Sequence, residues 1–113
     1  MIPHLDVDVT TCSGRTVVTL TGALDMDTVP YVTETTNAID LTGQTIVMDF
    51  AGVTFMDSSA INLLCALRRR ALAAGSALQV RGLREQGLRV LDLTGTKDLF
   101  LPPSPAADPS SPR

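Results

Sequence analysis

A β-rich apolar run, Thr45-Ile46-Val47-Met48-Asp49-Phe50, precedes the motif Asp57-Ser58-Ser59, and beyond it Ala60, Leu63, Leu64, Leu67 and Ala71 recur at helical spacing. The first run reads as a short central strand, covered on both faces. The second places its apolar side chains along one face of a helix from about Ser58 to Ala74, with Asn62 and Arg69 opposite and Gly75 as the stop. Between them, Phe55-Met56-Asp57-Ser58-Ser59-Ala60 presents a serine beside a carboxylate where a strand gives way to a helix. A helix N-terminus exposes unpaired N–H groups and carries a partial positive charge. An added phosphate is tolerated better there than at most places on a fold. Asp-Ser-Ser ahead of an apolar run is also a capping sequence, with Asp57 or Ser58 as the cap.

The rest of the chain completes an alternating order. Leu5-Asp6-Val7-Asp8-Val9 alternates apolar and acidic residues and reads as a strand with one wet face. Ser13-Gly14 marks a turn, and the β-branched run Arg15 to Thr21 reads as the hairpin partner, broken by Gly22. Leu24-Asp25-Met26-Asp27-Thr28 leads into a threonine-rich helix with Asp27 or Thr28 as cap and Pro30 in its first turn. Val29, Val32, Thr36 and Ile39 give it an uneven apolar stripe, and with poor intrinsic propensity it must lean on packing. Ala77 to Arg81 reads as a strand, Glu85 to Leu93 as a helix ended by Gly95, and Leu99-Phe100-Leu101 as a last short strand. The order β-β-α-β-α-β-α-β implies parallel crossovers beside an antiparallel hairpin, hence a mixed sheet in a single α/β domain. Residues 1–101 are expected to form that domain. From Pro102 to Arg113 the chain is rich in proline and serine, and a disordered tail is expected.

Several function classes are excluded by what the chain lacks. A net charge of −3 at pH 7 speaks against a nucleic-acid surface. His4 is the only histidine, which removes Ser-His-Asp and Cys-His catalysis and histidine-rich metal sites. Cys12 and Cys65 have no metal-ligand spacing, so no metal or other cofactor is expected. Neither a G-x-S-x-G motif nor a glycine-rich phosphate loop is present, and Asp49, Asp57 and Ser58 lack a histidine or metal partner for hydrolysis. A phospho-accepting aspartate of a receiver domain would need an acidic pair ending the first strand and a lysine near the end of the last. Asp6 and Asp8 instead alternate within the first strand, and Lys97, the only lysine, precedes the last. Arg68-Arg69-Arg70 point about 100° apart around a helix, so they form no single anion patch and read as a solvated helix end. Val53, Phe55 and Met56 read as core or loop anchors, with a docking ridge as the alternative. No secretory leader or membrane span is expected, which makes the cytoplasm the expected compartment.

Three segments resemble the STAS domain, in particular the bacterial anti-sigma factor antagonists: Val17 to Asp25, with its strand, glycine and Leu-Asp turn; Ile46 to Ser59, with its strand and Asp-Ser-Ser signature; and Leu91-Asp92-Leu93-Thr94-Gly95. The resemblance covers roughly residues 5 to 101 and is most specific in the second segment. It implies helices packed mainly on one face of a mixed sheet and a chain that is a substrate rather than an enzyme. It also implies that Ser58 is the phosphoacceptor, with Ser59 as the alternative. The partner it implies is an anti-sigma factor, itself a serine kinase with a histidine-kinase-like ATPase fold. The unmodified chain would bind that kinase and free a sigma factor, the phosphorylated chain would let go, and a serine phosphatase would reset the switch. No direct nucleic-acid contact follows from it. The partner-binding set it implies is Asp25, Asp57, Ser58, Ser59, Ala60 and Ile61. The chain departs from the family pattern at Ala60, where glycine is usual and the methyl group is expected close to the acceptor. It departs again at Ile61-Asn62, at Ala23 and in the proline-rich tail that replaces a last helix. These departures leave open a STAS-type scaffold or nucleotide-binding module that is not phosphorylated.

Overall fold

The computed structural model describes residues 5–100; His4, Leu101 and the expected tail lie outside the described residues. Strands β1 (Leu5–Cys12) and β2 (Arg15–Leu24) form the expected antiparallel hairpin. Cys12 pairs with Arg15, so Ser13-Gly14 is a tight loop with φ of 44° and 77°. Positive φ at both central residues gives the turn whose twist matches the flanking strands, and Gly14 adopts it without a Cβ penalty. β2 runs parallel to β3 (Thr45–Met56), and β3 parallel to β4 (Ala77–Arg81), in the sheet order β1-β2-β3-β4. Helices α1 (Val29–Asn37) and α2 (Ser58–Ala73) make the two crossovers, and α3 (Glu85–Thr94) and α4 (Lys97–Phe100) follow β4.

Strand alternation puts Val18, Leu20, Ile46, Met48, Phe50 and Val80 on one sheet face. They join Val32, Leu64, Leu67 and Leu91 in a single buried cluster. Every apolar position expected on the α2 face, from Ala60 to Ala71, is buried, and Asn62 and Arg69 are exposed. The other sheet face carries Thr19, Asp49, Gln79 and Arg81, with a 3.3 Å ion pair between Arg81 and Asp49. The expectation that the central run is covered on both faces therefore does not hold: the helices pack on one face. Val47 is buried on the other, between Val17 and Gln79 in register, and stands outside the helix-side cluster.

Two further expectations change. Leu99 and Phe100 belong to the short helix α4, not to a strand; Phe100 is 3% exposed, and both residues lie against the free edge of β4. Gly95 turns the chain at φ 70°, and Thr96 N–H donates to Leu91 C=O at 3.0 Å, which stops α3 and starts this turn. Of the arginine triplet, Arg70 is not merely solvated. Its guanidinium donates to Thr36 C=O at 3.4 Å and to Asn37 Oδ1 at 3.3 Å, placing a cation at the C-terminus of α1. This contact and the burial of Val32 and Thr36 give the threonine-rich helix the packing it needs.

Candidate functional site

β3 is 12 residues long and runs on through Ala51-Gly52-Val53-Thr54 to Met56. A strand carrying a glycine and a register shift does not show as a strand in the sequence. The pairing with β2 shifts between Thr19 and Thr21 and again between Gly22 and Ala23. Gly52 is what permits the approach: a Cβ there would stand 2.9 Å from Leu20 C=O and 3.2 Å from Thr21 Cα. After these shifts Leu24 pairs with Met56. Asp25 and Asp57 thus each follow the end of one of two adjacent parallel strands, and Asp57 N–H donates to Leu24 C=O at 3.4 Å.

Asp57 is the cap of α2. Its backbone is extended, at φ −125° and ψ −169°, and its carboxylate accepts from Ser59 N–H at 2.8 Å. Its carbonyl accepts from Ala60 N–H at 3.0 Å. The first turn of α2 is therefore already served by one aspartate. Ser58 is the first helical residue and is exposed, while Asp57 and Ser59 are half-buried.

Asp25 builds the turn into α1. Its carboxylate accepts from Asp27 N–H at 2.9 Å and Thr28 N–H at 3.2 Å, and its carbonyl accepts from Val29 N–H at 2.8 Å. The buried Thr28 hydroxyl donates to Ala23 C=O at 2.8 Å. Thr28 is thus the residue before the helix, but the carboxylate that satisfies the turn is Asp25 rather than Asp27.

The implied partner-binding set does not form one surface. Asp25, Asp57, Ser58 and Ser59 gather at one end of the sheet, an edge formed by the C-terminal ends of the interior strands β2 and β3, whereas Ala60 is 0% and Ile61 5% exposed. Helical rotation turns these two side chains into the core. The Ala60 methyl is therefore packed inside, while Ser58 beside it is exposed. Val53 and Met56 are buried as well, so of the expected ridge only Phe55, 45% exposed, faces solvent. Met26, 72% exposed, follows Asp25 at the same edge. It borders a groove of about 370 Å³ between α1 and α2, lined by Val29, Leu63, Ala66, Ser59 and Asn62.

Sequence reasoning missed Gln86. Its side-chain amide accepts from Met56 N–H at 3.0 Å and donates to Met56 C=O at 2.8 Å, directly before the capping aspartate. A single glutamine in a helix gives no signal of such a role.

Among the described residues there is no cluster of three or more His, Cys, Asp or Glu side chains placed to hold a metal, and no helix long and apolar enough to cross a membrane. What the edge offers is an accessible primary hydroxyl, a carboxylate engaged in capping, and two exposed apolar side chains. Asp57→Ala is expected to cost about 0.5–2 kcal/mol through loss of the cap, while Asp57→Asn keeps an acceptor and most of that stability. Denaturant melts of both variants check this; equal losses would mean that the carboxylate charge, not the cap bond, is what matters.

Residues 7–102 match the family model described as "Mlab, STAS domain". In sequence the chain is similar to the anti-sigma-B factor antagonist of Bacillus subtilis (strain 168), with 24% identity over 97 residues, covering 86% of this chain and 89% of that protein. In structure it is similar to an anti-sigma factor antagonist from Mycobacterium paratuberculosis, with a TM-score of 0.74 and 24% identity over 91% of this chain and 89% of that one. It is also similar to the phosphorylated form of the Bacillus cell fate determinant SpoIIAA, with a TM-score of 0.67 and 19% identity over 89% of this chain and 94% of that one.

Proposed function

The chain belongs to the STAS domain family, and on that premise we propose that it is an anti-sigma factor antagonist whose binding is switched off by phosphorylation of Ser58. In this reading the unmodified chain docks on an anti-sigma factor that is also a serine kinase, and a sigma factor is released. Transfer of a phosphoryl group from ATP to the Ser58 hydroxyl ends the docking, and a serine phosphatase restores it. The chain itself is the substrate.

The observation that carries this reading is the position of Ser58: exposed, first in α2, directly after a cap that Asp57 already provides. A phosphoserine there brings about −1.5 to −2 charges at pH 7. The dipole of α2 stabilises it by roughly 0.3–1 kcal/mol. The Ser59 and Ala60 amides are already taken by Asp57, so the new charge is not neutralised by them and stays at the surface. The fold survives while the edge formed with Asp25 and Asp57 becomes strongly acidic. The names of the relatives fit this reading: an anti-sigma-B factor antagonist, and a neighbour solved in a phosphorylated form.

Incubation with candidate anti-sigma kinases and ATP, followed by intact mass and peptide mapping, tests it. One phosphate, mapped to Ser58, is the expected result. A chain that binds such a partner yet takes no phosphate would instead be a constitutive STAS-type scaffold.

A further inference from the structure

β4 ends at Arg81, which pairs with Asp49, so the outer edge of β3 beyond Asp49 has no strand beside it. Backbone N–H and C=O groups on such an edge need other partners. Two side chains from the segment after β4 supply three of these contacts. Arg84 Nε donates to Ala51 C=O at 3.0 Å. Gln86 serves both polar groups of Met56, accepting from its N–H at 3.0 Å and donating to its C=O at 2.8 Å. An amide carries a donor and an acceptor on one planar group, and glutamine has the length to deliver both from α3. The next residue, Gly87, is buried against the side chain of Met56 as well: a Cβ there would stand 3.0 Å from Met56 Sδ and 2.8 Å from Leu83 Cδ2. The first turn of α3 is thus held against Met56 by a paired hydrogen bond and by close packing.

Met56 is followed by Asp57, whose extended backbone and capping carboxylate set where α2 begins and where Ser58 stands. We propose that Gln86 is a positioning residue for phosphorylation: by fixing Met56 it fixes the direction in which the Ser58 hydroxyl is presented to the kinase. This rests on Ser58 being the acceptor. In the transfer the Ser58 oxygen bonds the γ-phosphorus of ATP, the bond to the leaving oxygen of ADP breaks, and the hydroxyl proton passes to a base of the kinase. Such a step needs the attacking oxygen within about 3–3.5 Å of the phosphorus and in line, and a displacement of about 1 Å costs on the order of a hundredfold.

The test compares wild type with Gln86→Met, which keeps length and volume but neither hydrogen bond, and with Gln86→Glu, which keeps an acceptor and sets an oxygen against Met56 C=O. Hydrogen exchange at the Met56 amide is read by NMR, and kcat and KM for Ser58 phosphorylation are measured with ATP and the kinase that modifies the wild-type chain. Gln86→Met is expected to exchange Met56 at least about tenfold faster, and Gln86→Glu, which keeps an acceptor for that amide but repels Met56 C=O, by a smaller factor. Their kcat should fall about tenfold or more with KM within about twofold, because docking is kept and alignment is lost. Faster exchange with kcat unchanged would overturn the positioning role while leaving Ser58 as acceptor. A wild-type chain that no kinase phosphorylates would remove the functional reading, and this inference with it.

Discussion

Ser58→Asp is expected to bind the anti-sigma factor at least about tenfold more weakly than the wild-type chain, a change of roughly 1.4 kcal/mol, whereas Ser58→Ala binds like wild type and accepts no phosphate. The argument rests on where a charge at position 58 can go. The Ser59 and Ala60 amides in the first turn of α2 are held by the carboxylate and carbonyl of Asp57. Asp25 follows the adjacent strand end at the same edge. A new carboxylate at an exposed position therefore adds to an acidic edge and projects toward whatever docks there. Juxtaposing like charges across an interface costs several kcal/mol, and an aspartate carries only part of the charge of a phosphoserine. Titration calorimetry at about 0.15 M and about 1 M salt separates charge from shape, because the screening length falls from about 8 Å to about 3 Å. Ser58→Asp should recover part of its affinity at high salt. Wild-type affinity for Ser58→Asp at both salts would sink the charge-switch mechanism. Both variants should unfold close to the wild-type midpoint, since position 58 is exposed.

Phe50→Ala is expected to have the largest effect on stability, about 3–5 kcal/mol. Phe50 is fully buried and belongs to the central cluster. It follows Asp49, the last residue of β3 paired with β4, and precedes the extension that delivers Asp57 and Ser58. A cavity there removes a large part of the roughly 5–15 kcal/mol that holds a domain of this size together. Partner binding should fall with it, because the edge that carries Asp57 and Ser58 hangs on this strand. Phe50→Leu, which keeps most of the volume, should lose far less. Urea unfolding monitored by far-UV circular dichroism checks both; a loss below about 1 kcal/mol for Phe50→Ala would mean that the strand's inner face is not the core.

What could be read from the residues alone was local. The helical recurrence from Ala60 to Ala71 is set by residues three and four positions apart, and it placed the buried face of α2 correctly. The two-residue turn at Ser13-Gly14 and the strand Ala77–Arg81 were legible for the same reason. Asp57-Ser58-Ser59 marked a helix start from its own side chains, which left only the choice of cap to be decided. The order of elements already implied the mixed sheet; the family resemblance added the packing of the helices on one face and the implied role of Ser58.

Other features depended on which distant segments meet. β3 reaches Met56 because Gly52 lets Leu20 and Thr21 come close and the register with β2 shifts. No periodicity of β3 itself announces this. Ala60 and Ile61 were grouped with the surface residues beside them, but the rotation of α2 against the sheet turns them inward. Arg70 reads as one cation among three until α1 is packed alongside, when its guanidinium finds the carbonyl of Thr36, 34 residues away. Gln86 meets Met56 across 30 residues, at a place where β4 has already ended. Spacing, capping and turn chemistry act over a few residues, so the sequence by itself determined the elements from β1 to α3, their order and the exposed serine at a helix start, but not the helical state of Leu99 and Phe100. The partners of an unfinished strand edge are settled only when separate segments pack, so the tertiary structure decided how that serine is held.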